Sequence, residues 1–429
     1  MVSMGAIFKR LRGKRILILG FGREGKSSLA FIKKYLPHAI VGVADKNAEA
    51  LKDLDKEIAV YSGETYFDAV NDFDIVLKTP GISLKDKDID LSKITSQTDL
   101  FLEEFHSQII GITGTKGKST TSTLIYHLLK ESGRDVILAG NIGIPIFNII
   151  EQITNKSIIV FELSAHQLQF IHRSPHIGIL LNVFEEHLDH FGTFEAYRDA
   201  KLNIIRKMGE TDWAVTSDEF CYEAEAMMVH SLSYQYYNFE VDWNKIPLKG
   251  EHNRLNVKAA LCAINAYGLP VDEVLPHLYT FQPLEHRQEL VGTFGGVTFY
   301  NDSISTIPQA TIAALQTIKN VTFLLLGGYD REIDYTPLIN YLVKNPIKHI
   351  LYTGKAGNRM SEMLQHDGYQ GDIKNFKDLN QAFEIIKSLS KNGDVCLLSP
   401  AAASYDQYHN FEERGSLFKS LSREFGLLG

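Results

Sequence analysis

The stretch GITGTKGKST (residues 111–120) combines glycines, hydroxyls and lysines at spacings that suit phosphate binding. Backbone N–H groups of a glycine-rich turn can surround phosphate oxygens, and a helix N-terminus adds a favourable dipole. Lys118 would contact the β- and γ-phosphates of a nucleotide, and the hydroxyl of Ser119 would bind Mg²⁺. The stretch is not a strict Walker A sequence, because Ile112 stands where that pattern requires glycine. The alternative is a small-residue turn with an exposed lysine. We predict a nucleotide-phosphate site formed by Gly114, Thr115, Lys116, Gly117, Lys118, Ser119 and Thr120.

Two further polar groups follow apolar, strand-like runs. Glu162 ends the run SIIVFE, and His187 follows the run HIGILLNVF. The carboxyl ends of parallel strands share one edge of a sheet, so we expect both residues to lie near Ser119. Oxygen ligands favour Mg²⁺ over zinc, and a zinc pair of His187 and His190 would lack a cysteine or an i,i+4 spacing. Taken singly, each residue has an ordinary alternative, as a capping carboxylate or a structural histidine.

A second glycine-rich turn lies nearer the amino terminus, in ILILGFGREGKSS (16–28). Gly20, Gly22 and Gly25 fit the dinucleotide fingerprint, and Asp45 stands about where an acidic residue contacts a ribose. The direct interpretation is NAD binding. The same geometry suits any nucleotide diphosphate, and such a turn can also serve packing alone.

Spacing by itself assigns no chemistry to Lys201 or to the asparagines of GEHNRLN. Lys201 lies in a predicted amphipathic helix with Thr193 as its N-cap, where a lysine is usually exposed. Asn253 and Asn256 lie one helical turn apart. They could hydrogen-bond a base or a loop, with helix capping as the equal alternative.

The elements that must position these residues alternate between strands and helices. Apolar runs such as RILIL, IVGVAD and SQIIGITG are each followed by a helical pattern, which is typical of a parallel α/β fold. Gly295-Gly296 between two strand-like runs predicts a hairpin. We predict three domains, over residues 1–105, 106–283 and 284–429.

The composition limits the class of protein. The chain has 429 residues, 44% of them hydrophobic, and a formal net charge of −8. The acidic excess argues against nucleic-acid binding, and the apolar runs are too short to span a membrane. Cys221, Cys262 and Cys396 form no metal pattern, so we expect reduced thiols in a cytoplasmic protein.

Six segments occur between residues 111 and 303 in the order GTKGKST, FELSAHQL, NVFEEHLDHFGTFEAYRDAK, GEHNRLN, EHRQE and NDS. In this order they resemble the Mur ligase family of peptidoglycan synthesis. Three further segments resemble the members that add D-glutamate to UDP-N-acetylmuramoyl-L-alanine: ILGFGREGKSS with TPGIS, AGNIGIP, and LLSPAAASYDQYHNFEERG. The sequence lacks the DNPR signature of the members that add diaminopimelate or lysine.

The resemblance implies an ATP-dependent amide ligase. It implies a Rossmann-like UDP-sugar-binding domain, a central P-loop-type ATPase domain and a Rossmann-like C-terminal domain that binds the amino acid. The diphosphate of a UDP-sugar thereby displaces NAD from the first glycine turn. The implied cofactors are ATP, two Mg²⁺ ions and CO₂, the last as a carbamate on Lys201, whose anionic oxygens would attract a cation that an ammonium repels. The family works by moving domains within one chain, so we expect a monomer.

Site residues follow from the resemblance, position by position. The implied catalytic residues are Lys118, His187 and Lys201, and the metal ligands are Ser119, Glu162, His187 and Lys201. The ATP site adds Asn256, Arg287 and Asp302 to the glycine turn. The UDP-muramyl substrate would contact Gly22, Arg23, Asp45, Thr79, Gly81, Asn141, Ser164 and Gln167. D-Glutamate would contact Thr306, Arg331, Ser404 and Phe411.

Two positions depart from the family pattern in the part that holds the amino acid. Ile304 occupies a place that is usually lysine, and Arg331 stands where another lysine is expected. Arginine can bind a carboxylate with two hydrogen bonds, but isoleucine cannot replace a charge. The alternatives are ligation of a different amino acid, a folylpolyglutamate-synthase-like ligase, and a nucleotide-binding scaffold without catalysis. Retention of the whole implied metal set argues against the scaffold.

Overall fold

The computed structural model describes residues 4–85, 87–140, 145–185, 188–226, 228–248, 250–282 and 285–426. The chain divides into two compact units, Met1–Phe281 and Gln282–Gly429. Among the described residues, the first unit holds two sheets and the second unit one. No helix in these ranges combines the length and apolar character that a membrane span requires. The domain boundaries predicted at 105/106 and 283/284 stay predictions.

The first sheet is parallel and short-stranded. Its strands are β1 (Ile16–Leu19), β2 (Val41–Asp45), β3 (Ala59–Ser62), β4 (Ile75–Lys78) and β5 (Ile94–Thr95), and its helices are α1 (Gly5–Leu11), α2 (Arg23–Tyr35) and α3 (Gln97–Phe105). The strand order is β3-β2-β1-β4-β5. In β1, Ile16 and Ile18 join one core, whereas Leu17 and Leu19 join the core on the opposite face. Strands that are apolar on both faces are typical of a parallel sheet covered on both sides.

The second sheet has six parallel strands in the order β11-β10-β9-β6-β8-β7. The strands are β6 (Ile109–Thr113), β7 (Val136–Gly140), β8 (Ile158–Glu162), β9 (Ile177–Leu180), β10 (Trp213–Thr216) and β11 (His230–Ser233). The helices are α4 (Lys118–Glu131), α5 (Ala165–Leu168), α6 (Leu188–Phe191), α7 (Phe194–Arg206), α8 (Asp218–Ala226), α9 (Glu251–Ala266) and α10 (Val271–Leu278). β6 lies between β8 and β9, and Ile112 pairs with Glu162. The segments that follow these three strands therefore meet at one edge.

The third sheet is mixed and has the order β12-β13-β17-β14-β15-β16. Its strands are β12 (Glu289–Phe294), β13 (Val297–Asn301), β14 (Val321–Gly327), β15 (His349–Thr353), β16 (Asp372–Asn375) and β17 (Val395–Leu398). Its helices are α11 (Pro308–Thr317), α12 (Thr336–Lys344), α13 (Gly354–His366), α14 (Leu379–Leu389) and α15 (Phe411–Glu424).

The antiparallel pair in this sheet is the predicted hairpin. β12 and β13 are joined by Gly295 and Gly296, with φ values of 56° and 80°. Two consecutive positive φ values suit a tight hairpin turn and favour glycine at both places. The other strand pairs of the sheet are parallel. The prediction of an α/β fold with mainly parallel sheets is confirmed.

Candidate active site

The glycine turn at residues 114–117 connects the central strand β6 to α4 at the carboxyl edge of the middle sheet. Gly117 has a φ of 87°, and a Cβ there would lie 2.4 Å from Oδ1 of Asn256, so the turn needs glycine at this place. The Nζ atom of Lys118 folds back and donates to the carbonyl oxygens of Gly114 (2.8 Å) and Thr115 (3.1 Å). The turn therefore holds its lysine on the inside of its curve.

A buried carboxylate faces the first turn of α4. Glu162, at the end of β8, is 2% exposed and accepts hydrogen bonds from Oγ of Ser119 (3.2 Å) and Oγ of Ser122 (3.4 Å). Gly140 ends the next strand, and a Cβ there would lie 2.1 Å from the carbonyl oxygen of Glu162. Two of the implied metal ligands, Ser119 and Glu162, are thus adjacent. Ser122 also contacts Glu162 and was not among the predicted residues. Its position one helical turn after Ser119 could have indicated that both hydroxyls face the same way. His187 lies outside the described residues.

A second lysine reaches the same turn from α7. Lys201 is 2% exposed, and its Nζ donates to the carbonyl oxygen of Gly114 at 2.8 Å. The same Nζ lies 4.8 Å from the ring centroid of Tyr197. The expectation of an exposed helical lysine is wrong, because this face of α7 is directed at the glycine turn rather than at solvent. Lys118 and Lys201 consequently share the carbonyl oxygen of Gly114 as an acceptor.

The segment after β9 supports the turn from its other side. The side chain of Asn182 accepts from the N–H of Lys116 (2.8 Å) and donates to the carbonyl oxygen of Lys116 (3.1 Å). Oγ1 of Thr115 accepts from the N–H of Phe184 at 2.9 Å. Asn182 was not among the predicted residues, and the available signal was a polar residue directly after an apolar run. Thr120 lies in the first turn of α4 and is half-buried.

Asn256 is buried on α9 and lies against Gly117, so the structure brings this implied ATP residue to the glycine turn. Its Nδ2 donates to Oδ1 of Asn253 at 3.1 Å. The two asparagines, one helical turn apart, hydrogen-bond each other, and Gly250 rather than either of them stands at the N-cap of α9.

The first glycine turn lies where β1 and β4 end. A Cβ on Gly20 would lie 2.1 Å from Oγ1 of Thr79, and a Cβ on Gly25 would lie 2.1 Å from the carbonyl oxygen of Gly20. These two glycines therefore allow close packing between the turn, β4 and α2. Asp45, at the end of β2, accepts from the N–H of Phe21 at 2.6 Å and so fixes the turn. The other implied residues at this edge are exposed: Gly22, Arg23 and Gly81.

Ser164 and Gln167 form the capping box that begins α5. The N–H of Gln167 donates to Oγ of Ser164 (3.3 Å), and the N–H of Ser164 donates to Oε1 of Gln167 (2.9 Å). Both side chains thus have a structural role, and their contact with substrate stays a prediction. Asn141 lies outside the described residues.

In the second unit, Asp302 follows β13 and is 1% exposed. Its carboxylate accepts from Oγ of Ser399 (2.7 Å) and from the N–H of Gln288 (3.1 Å). Burial raises the pKa of Asp302 to about 6, although these hydrogen bonds and the charge of Arg287 act to lower it. The side chain of Arg287 is exposed.

The implied amino-acid contacts occupy two places in the second unit. Nη2 of the exposed Arg331 donates to the carbonyl oxygen of Thr306 at 2.7 Å, so these two residues are neighbours. Ile304, which replaces the lysine of the family pattern, is half-buried, and its N–H donates to the carbonyl oxygen of His286 at 3.1 Å. Ser404 is buried in the loop that precedes α15.

Arg414 hydrogen-bonds to two of the segments that contain the implied amino-acid contacts. It is 4% exposed, and its guanidinium donates to Oγ and to the carbonyl oxygen of Ser303 (3.0 and 2.9 Å) and to the carbonyl oxygen of Ala402 (3.1 Å). Oγ of Ser303 donates in turn to the carbonyl oxygen of Phe411 at 2.8 Å. Burial lowers the pKa of Arg414 to about 10. No spacing pattern marks this residue, because an arginine within a helix is ordinarily exposed.

A parallel α/β domain whose glycine turn leads into a helix that begins with a lysine is typical of the nucleotide-phosphate-binding enzymes. Two family models match the chain: residues 112–232 match the Mur ligase middle domain, and residues 286–402 match the Mur ligase glutamate ligase domain. The chain belongs to the Mur ligase family.

Curated relatives match over nearly the whole chain. The UDP-N-acetylmuramoylalanine–D-glutamate ligase of Symbiobacterium thermophilum is 33% identical over 95% of this chain and 97% of its own. The proteins of the same name from Acetivibrio thermocellus and Clostridium botulinum are 32% and 31% identical, each over 96% of this chain and 97% of their own. The recognition of the family and of the ligase class is confirmed.

Solved structures share the fold. The MurF ligase from Thermotoga maritima in complex with ADP has 19% identity and a TM-score of 0.59, covering 98% of this chain and 97% of its own. The UDP-N-acetylmuramate–alanine ligase MurC from Thermotoga maritima has 19% identity and a TM-score of 0.54, covering 95% and 98%. Escherichia coli FolC in complex with ADP has 15% identity and a TM-score of 0.55, covering 79% and 95%. At these identities the likeness concerns the fold alone.

Proposed function

We propose that the protein joins the amino group of D-glutamate to the alanyl carboxylate of UDP-N-acetylmuramoyl-L-alanine while ATP becomes ADP and phosphate. This would be a step of cytoplasmic peptidoglycan precursor synthesis. The observation that carries the proposal is the grouping of Lys118, Ser119, Glu162 and Lys201 around one glycine turn. The names of the relatives with 31–33% identity support the choice of substrates.

The reaction must first convert a carboxylate into a better acyl donor. A carboxylate oxygen attacks the γ-phosphorus of ATP, the bond from that phosphorus to ADP breaks, and an acyl phosphate forms. The deprotonated amine of D-glutamate then attacks the acyl carbon, and the tetrahedral intermediate expels phosphate as the amide forms. Crowded negative charge dominates both steps, so the protein contributes chiefly by positioning the reactants and offsetting charge.

Lys118 supplies positive charge at the glycine turn directly, whereas Lys201, as a carbamate, would contribute through the Mg²⁺ ion that it would hold. Lys118 is held against the turn by two carbonyl oxygens and lies beside the N-terminus of α4, where phosphate oxygens would accept its hydrogen bonds. Lys201 approaches the same carbonyl oxygen of Gly114 while largely shielded from water. Charge–charge interactions are stronger in such a water-poor place than on an open surface.

The oxygen atoms near Glu162 fit a Mg²⁺ ion, because a carboxylate and the hydroxyl of Ser119 are hard donors. Ser119 and Glu162 would hold the ion, which, when bound, would offset charge on the phosphate oxygens. We propose that Lys201 and His187 serve a second ion, with Lys201 as a carbamate. Carbon-13 NMR in labelled bicarbonate tests the carbamate: its signal should appear in the wild-type protein and be missing from Lys201→Met.

The other substrates would occupy the remaining edges. The diphosphate of the UDP-sugar would bind at the first glycine turn, with Asp45 and Thr79 nearby, and D-glutamate would bind in the second unit near Arg331, Ser404 and Phe411. A single chain carries each of these groups, so we propose a monomer. Light scattering of the purified protein tests that state.

Phosphate release from UDP-N-acetylmuramoyl-L-alanine, ATP and a panel of D- and L-amino acids tests the function. D-Glutamate should give the highest kcat/KM. Because Ile304 removes an expected charge, preference for another amino acid is the second candidate, and a pteroate substrate in the panel tests the folate-type alternative. The proposed ligase would be contradicted if phosphate were released equally with every amino acid, or if no amino acid gave phosphate release.

Lys118→Ala should abolish ADP formation, because the lysine is the positive group on the inside of the turn. Lys130→Ala, on the exposed last turn of the same helix, is the matched control and should keep normal turnover. Circular dichroism checks that both variants are folded. Near-normal turnover of Lys118→Ala would contradict the role given to this glycine turn.

A further inference from the structure

Lys78 is the last residue of β4, next to the point where the strand order of the first sheet reverses. From β1 the chain adds β2 and β3 on one side and β4 and β5 on the other, and Lys78 pairs with Leu19 at the end of β1. In open α/β sheets, ligands bind outside the carboxyl ends of the strands at this switch point. The loops that leave here are the Gly20 turn and the segment from Thr79 to Gly81, which contact each other.

The side chain of Lys78 is 3% exposed, although a strand-terminal lysine is ordinarily in solvent. Its Nζ donates to the carbonyl oxygen of Thr79 at 3.1 Å and lies 5.6 Å from the ring centroid of Phe170. Phe170 follows α5, whose capping box holds the implied substrate residues Ser164 and Gln167. Lys78 therefore lies between two segments that the UDP-muramyl substrate would contact.

The ammonium of Lys78 has more donors than this structure uses. It can donate three hydrogen bonds, and Thr79 accepts one; among the described residues it forms no ion pair. Burial lowers the pKa of Lys78 to about 8, with the charge of Glu24 in the first turn of α2 opposing that shift. Burial likewise raises the pKa of Glu24 to about 7. Burying a cation without a bonded anion costs free energy, and an anionic ligand bound to Lys78 would offset that cost.

We infer that Lys78 binds the diphosphate of the UDP-sugar substrate at the switch point between β1 and β4. The inference rests on the proposed function. The diphosphate is favoured over the alanyl carboxylate because Lys78 lies beside the glycine turn that leads into α2, a helix of 13 residues whose N-terminal N–H groups also suit phosphate. The lysine would act as a point charge that complements those backbone donors.

Binding of UDP-N-acetylmuramoyl-L-alanine, UDP and uridine to wild type and Lys78→Met tests this role. A lost hydrogen bond from a charged group corresponds to about a tenfold to hundredfold weaker affinity. Titration calorimetry should show that loss for the substrate and for UDP, and ligand-observed NMR should show unchanged binding of uridine. The KM for ATP should not change. Lys33→Met, on the exposed part of α2 where Lys33 pairs with Asp55, is the matched control.

Retained uridine binding also shows that Lys78→Met is folded, and Lys78→Gln repeats the test with a polar side chain. If Lys78→Met bound UDP as tightly as wild type, Lys78 would serve only its contacts with Thr79 and Phe170, and the inference would fail while the ligase proposal stood. A loss seen with the substrate but not with UDP would also overturn the diphosphate assignment. Failure of the wild-type protein to bind the UDP-muramyl substrate would instead contradict the proposed function.

Discussion

Replacing Asp302 by asparagine should stabilise the second unit while it impairs catalysis. Burial raises the pKa of this carboxyl from 3.8 to about 6, so between these values the folded state binds more protons than the unfolded state. The free energy of unfolding then falls as the pH rises through this window, and the full cost of the charge is present above it. A shift of about 2 units corresponds to about 3 kcal/mol. The asparagine side chain would carry no charge, and the hydroxyl of Ser399 can rotate to suit the amide, so Asp302→Asn should recover up to about 3 kcal/mol at pH 7.5.

Hydrogen exchange of the β14 and β17 amides, followed by mass spectrometry at rising urea concentration, measures this effect. Tryptophan fluorescence cannot do so, because Trp213 and Trp243 both lie in the first unit, but it serves as an internal control that should not change. The gain should be full at pH 7.5 and should vanish by about pH 4. Phosphate release should fall at the same time, since Asp302 is an implied ATP-site residue.

Asp367→Asn, which removes an exposed carboxylate from the same unit, is the matched control and should leave the stability unchanged within about 0.5 kcal/mol. The reasoning would be refuted if Asp302→Asn destabilised the unit at pH 7.5, or if its stability followed the wild-type dependence on pH. Either result would mean that the ionised carboxylate is stabilised by its hydrogen bonds more than burial destabilises it.

Three further changes test other parts of the chain. Gly117→Ala should weaken binding of an ATP analogue about tenfold in calorimetry. The left-handed φ of 87° costs an alanine about 1–2 kcal/mol, and the new Cβ would collide with Asn256. Gly133→Ala, with a φ of 79° and open space around it, controls for the backbone cost alone. Burial acts to raise the pKa of Asp212, but hydrogen bonds from His106 and His176 outweigh it and lower the pKa. Asp212→Asn should therefore cost on the order of 2 kcal/mol in urea unfolding at pH 7, a loss that shrinks progressively as the pH falls below about 4. An equal loss at every pH would contradict this account of Asp212. Thr193→Ala should cost about 1 kcal/mol, measured by urea unfolding, because Oγ1 of Thr193 accepts the N–H of Ala196 at the start of α7; Thr193→Ser should keep most of that stability.

Local chemistry in the sequence was enough to predict several of the strands, the glycine turns and one edge of the middle sheet. Apolar runs end at residues that lie at strand ends, and Gly295-Gly296 forms the hairpin turn, because a tight turn depends on adjacent residues only. Ser119 and Glu162, 43 residues apart, could be placed together because parallel strands end at a common edge. Thr193 could be identified as an N-cap because the cap involves residues three positions apart.

Only the tertiary structure decided which polar side chains are buried and what they contact. Lys201 meets Gly114 across 87 residues, Arg414 meets Ser303 across 111 residues, and Lys78 lies against the ring of Phe170, which follows α5. In each case the sequence around the residue is that of an ordinary exposed helix or strand end. The environment of a side chain is set by the segments that fold against it, and those segments are distant in the chain, so local periodicity carries no information about them.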